Sequence, residues 1–169
     1  MKKNQIKLMC LSGIFTALVF VVTAYLHIPT YNGYVHVGDG FIFLAACLLP
    51  MPYSMFVGAV GAMLADVLTG FAIWAPASMV IKSLAAILFT SKGKKMITPR
   101  NVWMLIPCAI ISIGGYYLYE VLITGNFTAP LAGILGSTIQ AVTSSIVFVA
   151  IGLAMDRFHI KETIMRAYK

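Results

Sequence analysis

The stretch from Asp66 to Leu88, DVLTGFAIWAPASMVIKSLAAIL, holds one acid and one base, Asp66 and Lys82, among residues that are otherwise apolar or small. Opposite charges in such a setting either pair as a structural ion pair or line a polar cavity. Other polar and aromatic candidates are Tyr34, His36, Asp39, Trp74, Tyr116, Glu120 and Asn126. Tyr116 and Glu120, at i and i+4, share one helix face, which leaves Tyr119 pointing elsewhere. Ser137, Gln140 and Ser144, at i, i+3 and i+7, also share a face. They either hydrogen-bond helix to helix or line the same cavity. Aromatic faces with a few fixed hydrogen-bonding groups suit the holding of a small, flat molecule. Bond-breaking chemistry has no comparable support. There is no HExxH, no GxSxG, no carboxylate-rich metal motif and no Walker lysine, so no catalytic or metal-binding residue is assigned.

The elements that must position these groups are written in an apolar chain. Of 169 residues, 60% are hydrophobic and 10% charged, with a mean hydropathy of +0.93. A soluble domain is about 45–50% apolar and about 25% charged. The composition is that of an all-α integral membrane protein, a single membrane domain over residues 1–169. Cys10, Cys47 and Cys108 have no CxxC spacing and are odd in number, which argues against a disulfide framework or a zinc site.

The net charge of +7 is gathered in three clusters: Lys2, Lys3 and Lys7; Lys92, Lys94, Lys95 and Arg100; and Arg157, Lys161, Arg166 and Lys169. These are loop charges of the kind that set membrane orientation. No basic stripe interleaved with aromatics is present, so nucleic acid is not an expected partner.

A transmembrane helix takes about 20 apolar residues. Six spans are expected, over approximately 8–28, 38–49, 53–71, 76–90, 102–123 and 131–155. Pro50 and Pro52 break the long run between the second and third, and Pro76 suits the first turn of the fourth. The second span is short, about 18 Å at 1.5 Å per residue. Six spans put all three basic clusters on one side, and the positive-inside rule makes that side the cytoplasm, with both termini. The loops at 29–37, 70–75 and 124–129 contain no Lys or Arg and then face outward.

Counted from the expected helix ends, Asp66 lies about 8 Å and Lys82 about 9 Å below the outer surface. They are therefore expected to pair or to share a cavity. Asp39, His36, Trp74, Tyr116, Glu120 and Asn126 belong to the same outer half, which predicts an outward-opening pocket. Two blander readings stand beside this. Glu120 reaches the headgroups, or the aromatics form an interfacial belt, the better reading for Tyr31 and Tyr53. Near the start of the chain, Ser12–Thr16 and Gly13–Ala17 are small-xxx-small pairs that allow close helix approach.

The run from Gly33 to Leu88 resembles the substrate-binding S component of energy-coupling factor (ECF) vitamin transporters. The matching features are "GD" at Gly38–Asp39, the proline-broken turn, a Gly/Ala-rich segment ending in "AD" at Ala65–Asp66, and "WAP" at Trp74–Pro76 followed by Lys82. SGIFTALVFVVT, residues 12–23, also agrees. Within that superfamily the chain is most similar to the branch assigned to pyridoxine or hydroxymethylpyrimidine.

The resemblance implies six helices in a bacterial cell membrane and a vitamin-like ligand in an outer pocket closed by the loop between the first two spans. It implies a membrane T component and two cytosolic ATPases as partners, and it implies no cofactor of the chain's own, ATP being used by those partners. Ser12, Gly13, Thr16 and Ala17 are the expected contact with the T component. The expected ligand site takes Tyr34 and His36 from the gating loop and Trp74 and Tyr116 as stacking surfaces. Lys82, Glu120, Asn126 and Gln140 are its polar partners, and Asp39 supports the loop. The alternatives are a freestanding small permease, a structural subunit of a membrane complex, or an S component for thiamine, riboflavin or a queuosine precursor.

Overall fold

The computed structural model describes residues 3–30 and 33–168. Lys2, Tyr31 and Lys169, named above, lie outside the described residues. Helix α1 spans Lys3–Tyr25. It stops three residues short of the expected end, because Ile28 precedes Pro29 and a residue before proline is pushed to extended backbone. The chain continues as a two-stranded antiparallel hairpin, β1 His27–Thr30 and β2 Gly33–His36, pairing His27 with His36 and Pro29 with Tyr34. Much of the loop expected over 29–37 is thus this hairpin.

Helix α2, Gly38–Leu48, has 11 residues, and nearly all of its side chains are buried. Leu49 is extended before Pro50, and Pro52 lies in the first turn of α3, Met51–Leu68. That helix ends three residues before the expected position. Thr69, Gly70 with φ of +90°, and a 3₁₀ turn at Ala72–Trp74 lead into α4, Ala75–Leu88, with Pro76 in its first turn.

The expected span 102–123 is divided. A short helix α5, Pro99–Trp103, is capped by Thr98, whose hydroxyl accepts from Asn101 N at 3.2 Å. Helix α6, Leu105–Thr124, follows. The break lies where Pro107 cannot donate to the carbonyl of Trp103. Gly125, with φ of +66°, ends α6. Helix α7 spans Leu131–Arg157, and α8, Ile160–Tyr168, is a last helix that the sequence reading lacked.

Four segments, 4–25, 51–68, 99–124 and 131–157, are helical, long and apolar enough to cross a membrane. Helix α2 and residues 72–88 are apolar but shorter. Large side chains on these helices stand exposed, among them Ile14, Ile110, Leu118, Leu122 and Leu135, as expected of helices whose outer faces meet lipid.

Helix α2 is the axis of the core. Phe43 stacks on Phe89 at 4.7 Å between ring centroids and meets Phe148 edge-on at 5.9 Å. Helix α3 is clasped closely on two sides. A Cβ on Gly61 would lie 2.8 Å from Val19 Cγ1 of α1, and one on Gly58 would lie 2.8 Å from the Lys82 carbonyl of α4. At the end remote from the hairpin the Asp156 carboxylate accepts from Met96 N at 2.7 Å and Ile97 N at 2.9 Å. Lys161 Nζ donates to the Lys95 carbonyl at 3.2 Å.

The tight helix crossings lead to a stability prediction. Gly58→Val and Gly61→Val force α3 off its neighbours and should cost about 1–3 kcal/mol each by overpacking. Gly114, with no atom within 4 Å of an added Cβ, should accept Ala without loss. Unfolding midpoints in detergent measure the difference, and equal midpoints for all three variants would contradict the packing described.

Candidate functional site

A cavity of about 390 Å³ lies between the hairpin and helices α3, α4, α6 and α7. Much of its wall is apolar, including Ile28, Val35, Ile113 and Ile139. Tyr34 and His36 of β2 form one side; Trp74 comes from the 3₁₀ turn before α4 and Ser78 from its first turns, and Tyr116, Tyr117 and Glu120 from α6. Thr30, Asp66, Ser137 and Gln140 complete the polar lining.

The aromatic groups brace one another. Trp74 meets the Tyr116 ring at 6.0 Å. The Tyr34 ring lies between His27 at 4.8 Å, His36 at 5.5 Å and Phe71 at 4.9 Å. Its hydroxyl donates to Asp66 Oδ1, tying the hairpin to α3. Burial, with the Asp66 carboxylate beside it, holds the Tyr34 phenol well above its usual range, so it remains a donor. His36 Nδ1 accepts from Gly38 N at 3.1 Å. Burial lowers the His36 imidazole to about 4, so at neutral pH the ring is neutral. With Nδ1 accepting, its proton is assigned to Nε2.

Beneath the cavity lies a buried charge pair. Lys82 Nζ sits 2.8 Å from Asp39 Oδ2, and Gln140 Nε2 donates to the same oxygen at 3.2 Å. Lys82 is 1% exposed and lies 5.0 Å from the centroid of the Tyr116 ring, a cation–π contact. The cavity therefore has a floor whose charges are spent on each other. No Lys or Arg is among the residues that line it, whereas Asp66 and Glu120 are. No group of three or more His, Cys, Asp or Glu among the described residues has the arrangement of a metal site.

The family model described as "ECF-type riboflavin transporter, S component" matches residues 3–157. The chain belongs to this family. It is therefore a membrane-embedded, substrate-binding transporter subunit, of the kind that works with T and ATPase subunits. No curated protein matches the chain.

In this S component the structure gathers Tyr34, His36, Trp74, Tyr116, Glu120 and Gln140 around one cavity and places Asp39 and Lys82 under it. Tyr119 is absent from the lining and donates to the Ile73 carbonyl at 2.7 Å. Three expectations are corrected. Asp66 is not the ion-pair partner of Lys82; that partner is Asp39. The expected depths assumed that α3 reached Phe71. Because it ends at Leu68, Asp66 lies about 3 Å from its helix end and Lys82 about 10 Å into α4. Asn126 lies in the exposed loop after α6, where its Oδ1 accepts from Thr128 N at 2.8 Å. There it stabilises its own turn and is not part of the cavity lining.

The small residues of α1 also divide. Ser12 and Thr16 are buried, with hydroxyls bonded to the Leu8 and Ser12 carbonyls at 2.7 and 2.8 Å. They face inward, with the Thr16 carbonyl against Gly61, and offer no surface to a partner. Gly13 and Ala17 are exposed. Ser78 and Tyr117 were missed as lining residues. Trp74, Ser78 and Lys82, at successive spacings of four, share one face of α4, and that periodicity was the available signal for Ser78.

The floor should behave as a unit. Breaking one partner of a buried pair typically costs about 3–5 kcal/mol. Lys82→Met should therefore destabilise the protein more than Lys82→Met combined with Asp39→Asn. Detergent unfolding of both singles and the double measures the coupling, and strictly additive losses would show that the pair contributes none.

Proposed function

We propose that this S component spans the membrane six times, with α1, α2, α3, α4, α6 and α7 as the spans and both termini in the cytoplasm. We propose further that it captures a small, flat heteroaromatic vitamin or precursor in the cavity under the hairpin. A T component and two ATPases then drive its delivery inward. The orientation is supported by charge placement. The Lys161–Lys95 bond puts two basic clusters at the end remote from the hairpin, and α8 packs on α1 there as well. Basic residues gather on the cytoplasmic side, so the cavity opens outward.

The observation that carries the ligand class is the cavity itself, aromatic-walled, about 390 Å³, and lined by two acids and no free cation. A phosphorylated ligand would meet like charge there with nothing to neutralise it. A neutral or cationic ring would not. Ligand pockets run from about 300 to 1,000 Å³, and this one is near the lower bound, which favours a single ring with hydroxymethyl arms. Pyridoxine and hydroxymethylpyrimidine are of that kind, and the chain resembles the branch assigned to them. Riboflavin is the second reading, favoured by the description of the family whose model matches.

Binding to the purified protein tests the ligand. Trp74 lies in the cavity wall and the other tryptophan, Trp103, is 66% exposed and outside the lining. Pyridoxine or hydroxymethylpyrimidine should quench the fluorescence, and Trp74→Phe should remove that response. Glu120→Gln should weaken binding about tenfold or more, since hydrogen bonds to charged groups contribute about 1.5–3 kcal/mol. Binding of riboflavin alone would replace the substrate and leave the family role intact.

Assembly with the T component is a separate expectation. Gly13 has no atom within 4 Å of an added Cβ, and its exposed small-residue surface with Ala17 suits close helix approach. Trp at either position should abolish co-purification with the T component while ligand binding by the isolated subunit persists. Retained assembly in both variants would place the contact elsewhere.

A further inference from the structure

Asp66 uses only half of its carboxylate within the protein. Oδ1 accepts from the Tyr34 hydroxyl of the hairpin, whereas Oδ2 is buried without a hydrogen-bond partner. The residue is 5% exposed and lines the cavity. The neighbouring donors have partners of their own. Ser78 Oγ and the Tyr116 hydroxyl bond each other at 2.9 Å, which uses one of their two protons, and Lys82 is held by Asp39 at 2.8 Å. A buried acceptor left without a donor is destabilising, and the penalty disappears when a donor arrives.

We infer that Asp66 is a specificity-determining residue of the cavity: its Oδ2 accepts a hydrogen bond from an N–H or O–H on the ligand's ring while Oδ1 holds the hairpin. This deepens the functional reading above and rests on it. The opposite polarity is supplied by His36, which also lines the cavity. Its Nδ1 is occupied by Gly38 N, so its Nε2–H is the donor left for a ligand acceptor. The complementary molecule is a heteroaromatic ring carrying both an amino or hydroxyl donor and a ring acceptor, as aminopyrimidines and hydroxypyridines do. A ring bearing only acceptors leaves Oδ2 unsatisfied, and a carboxylate or phosphate at that place meets like charge. Because one carboxylate serves both the ligand and Tyr34, filling the cavity and fastening the hairpin are coupled at Asp66.

The test uses the purified full chain in detergent with pyridoxine, amino-hydroxymethylpyrimidine, thiamine and riboflavin, each of which has a ring-borne donor. Whichever binds is compared with an analogue in which that donor is replaced by hydrogen or methyl. The parent should bind the analogue at least tenfold more weakly. Asp66→Asn should reduce that discrimination to threefold or less, and Tyr34→Phe should weaken both ligands of the pair by the same factor. Equal binding of the pair by the parent overturns the assignment of Asp66 and leaves the functional reading standing, and that comparison needs no variant to fold. Full discrimination retained by Asp66→Asn overturns the assignment too. A parent that binds none of the four compounds overturns the functional reading and this inference with it.

Discussion

The contact between Lys82 and Asp39, with Gln140 on the same oxygen, ties α4, α2 and α7 at one point. A lone charge in an apolar interior is expensive, and the expense constrains everything near it. Lys82 is fixed to α4, so the first turn of α2 must bring Asp39 to it. That fixes where α2 begins and hence where the preceding hairpin leaves the bundle. Tyr116 is set beside the ammonium, with its ring against Trp74 and its hydroxyl on Ser78. The cavity is the space left above this arrangement. Its polarity comes from groups the floor does not consume.

Helices α1 to α4, α6 and α7 were legible in the sequence because each is an apolar run with proline or glycine near a boundary, and such punctuation is local; α5 is too short and α8 too polar to show in that way. The hairpin was not, because strands of four residues containing Pro29 and Gly33 carry too little alternation to be told from a loop. The pairing of Asp66 was misjudged by a single boundary. Three residues assigned to α3 belong to the turn after it, and that shift moved the acid about 5 Å relative to Lys82. The candidate site was legible as a set of residue types gathered in one half of the chain's spans. It was not legible as a contact map, because Asp39 and Gln140 are 101 positions apart and nothing local joins them. For Ser12, Gly13, Thr16 and Ala17 the spacing showed two small-residue faces. Only the position of Gly61 decides which one turns inward.

Side-chain hydrogen bonds fasten both ends of the bundle. Remote from the cavity, the side chains of Asp156, Asn101 and Lys161 bond to backbone groups of residues 90–97 and hold that loop. Around the cavity the hairpin is held chiefly by side chains, through Tyr34 to Asp66 and Ser144 to the His36 carbonyl. Side-chain ties can be released one at a time without unravelling a helix.

Helix α2 has a further consequence for how the chain reaches its membrane. With 11 residues it is about 16 Å long, roughly half of a hydrocarbon core about 30 Å thick, and it carries a carboxylate in its first turn. Alone it is too short and too polar there to be accepted as a span during synthesis. Its near-complete burial means that protein, not lipid, must already surround it. Enclosure of α2 is thus a tertiary event, completed only when α4 and α7, made later, pack against it.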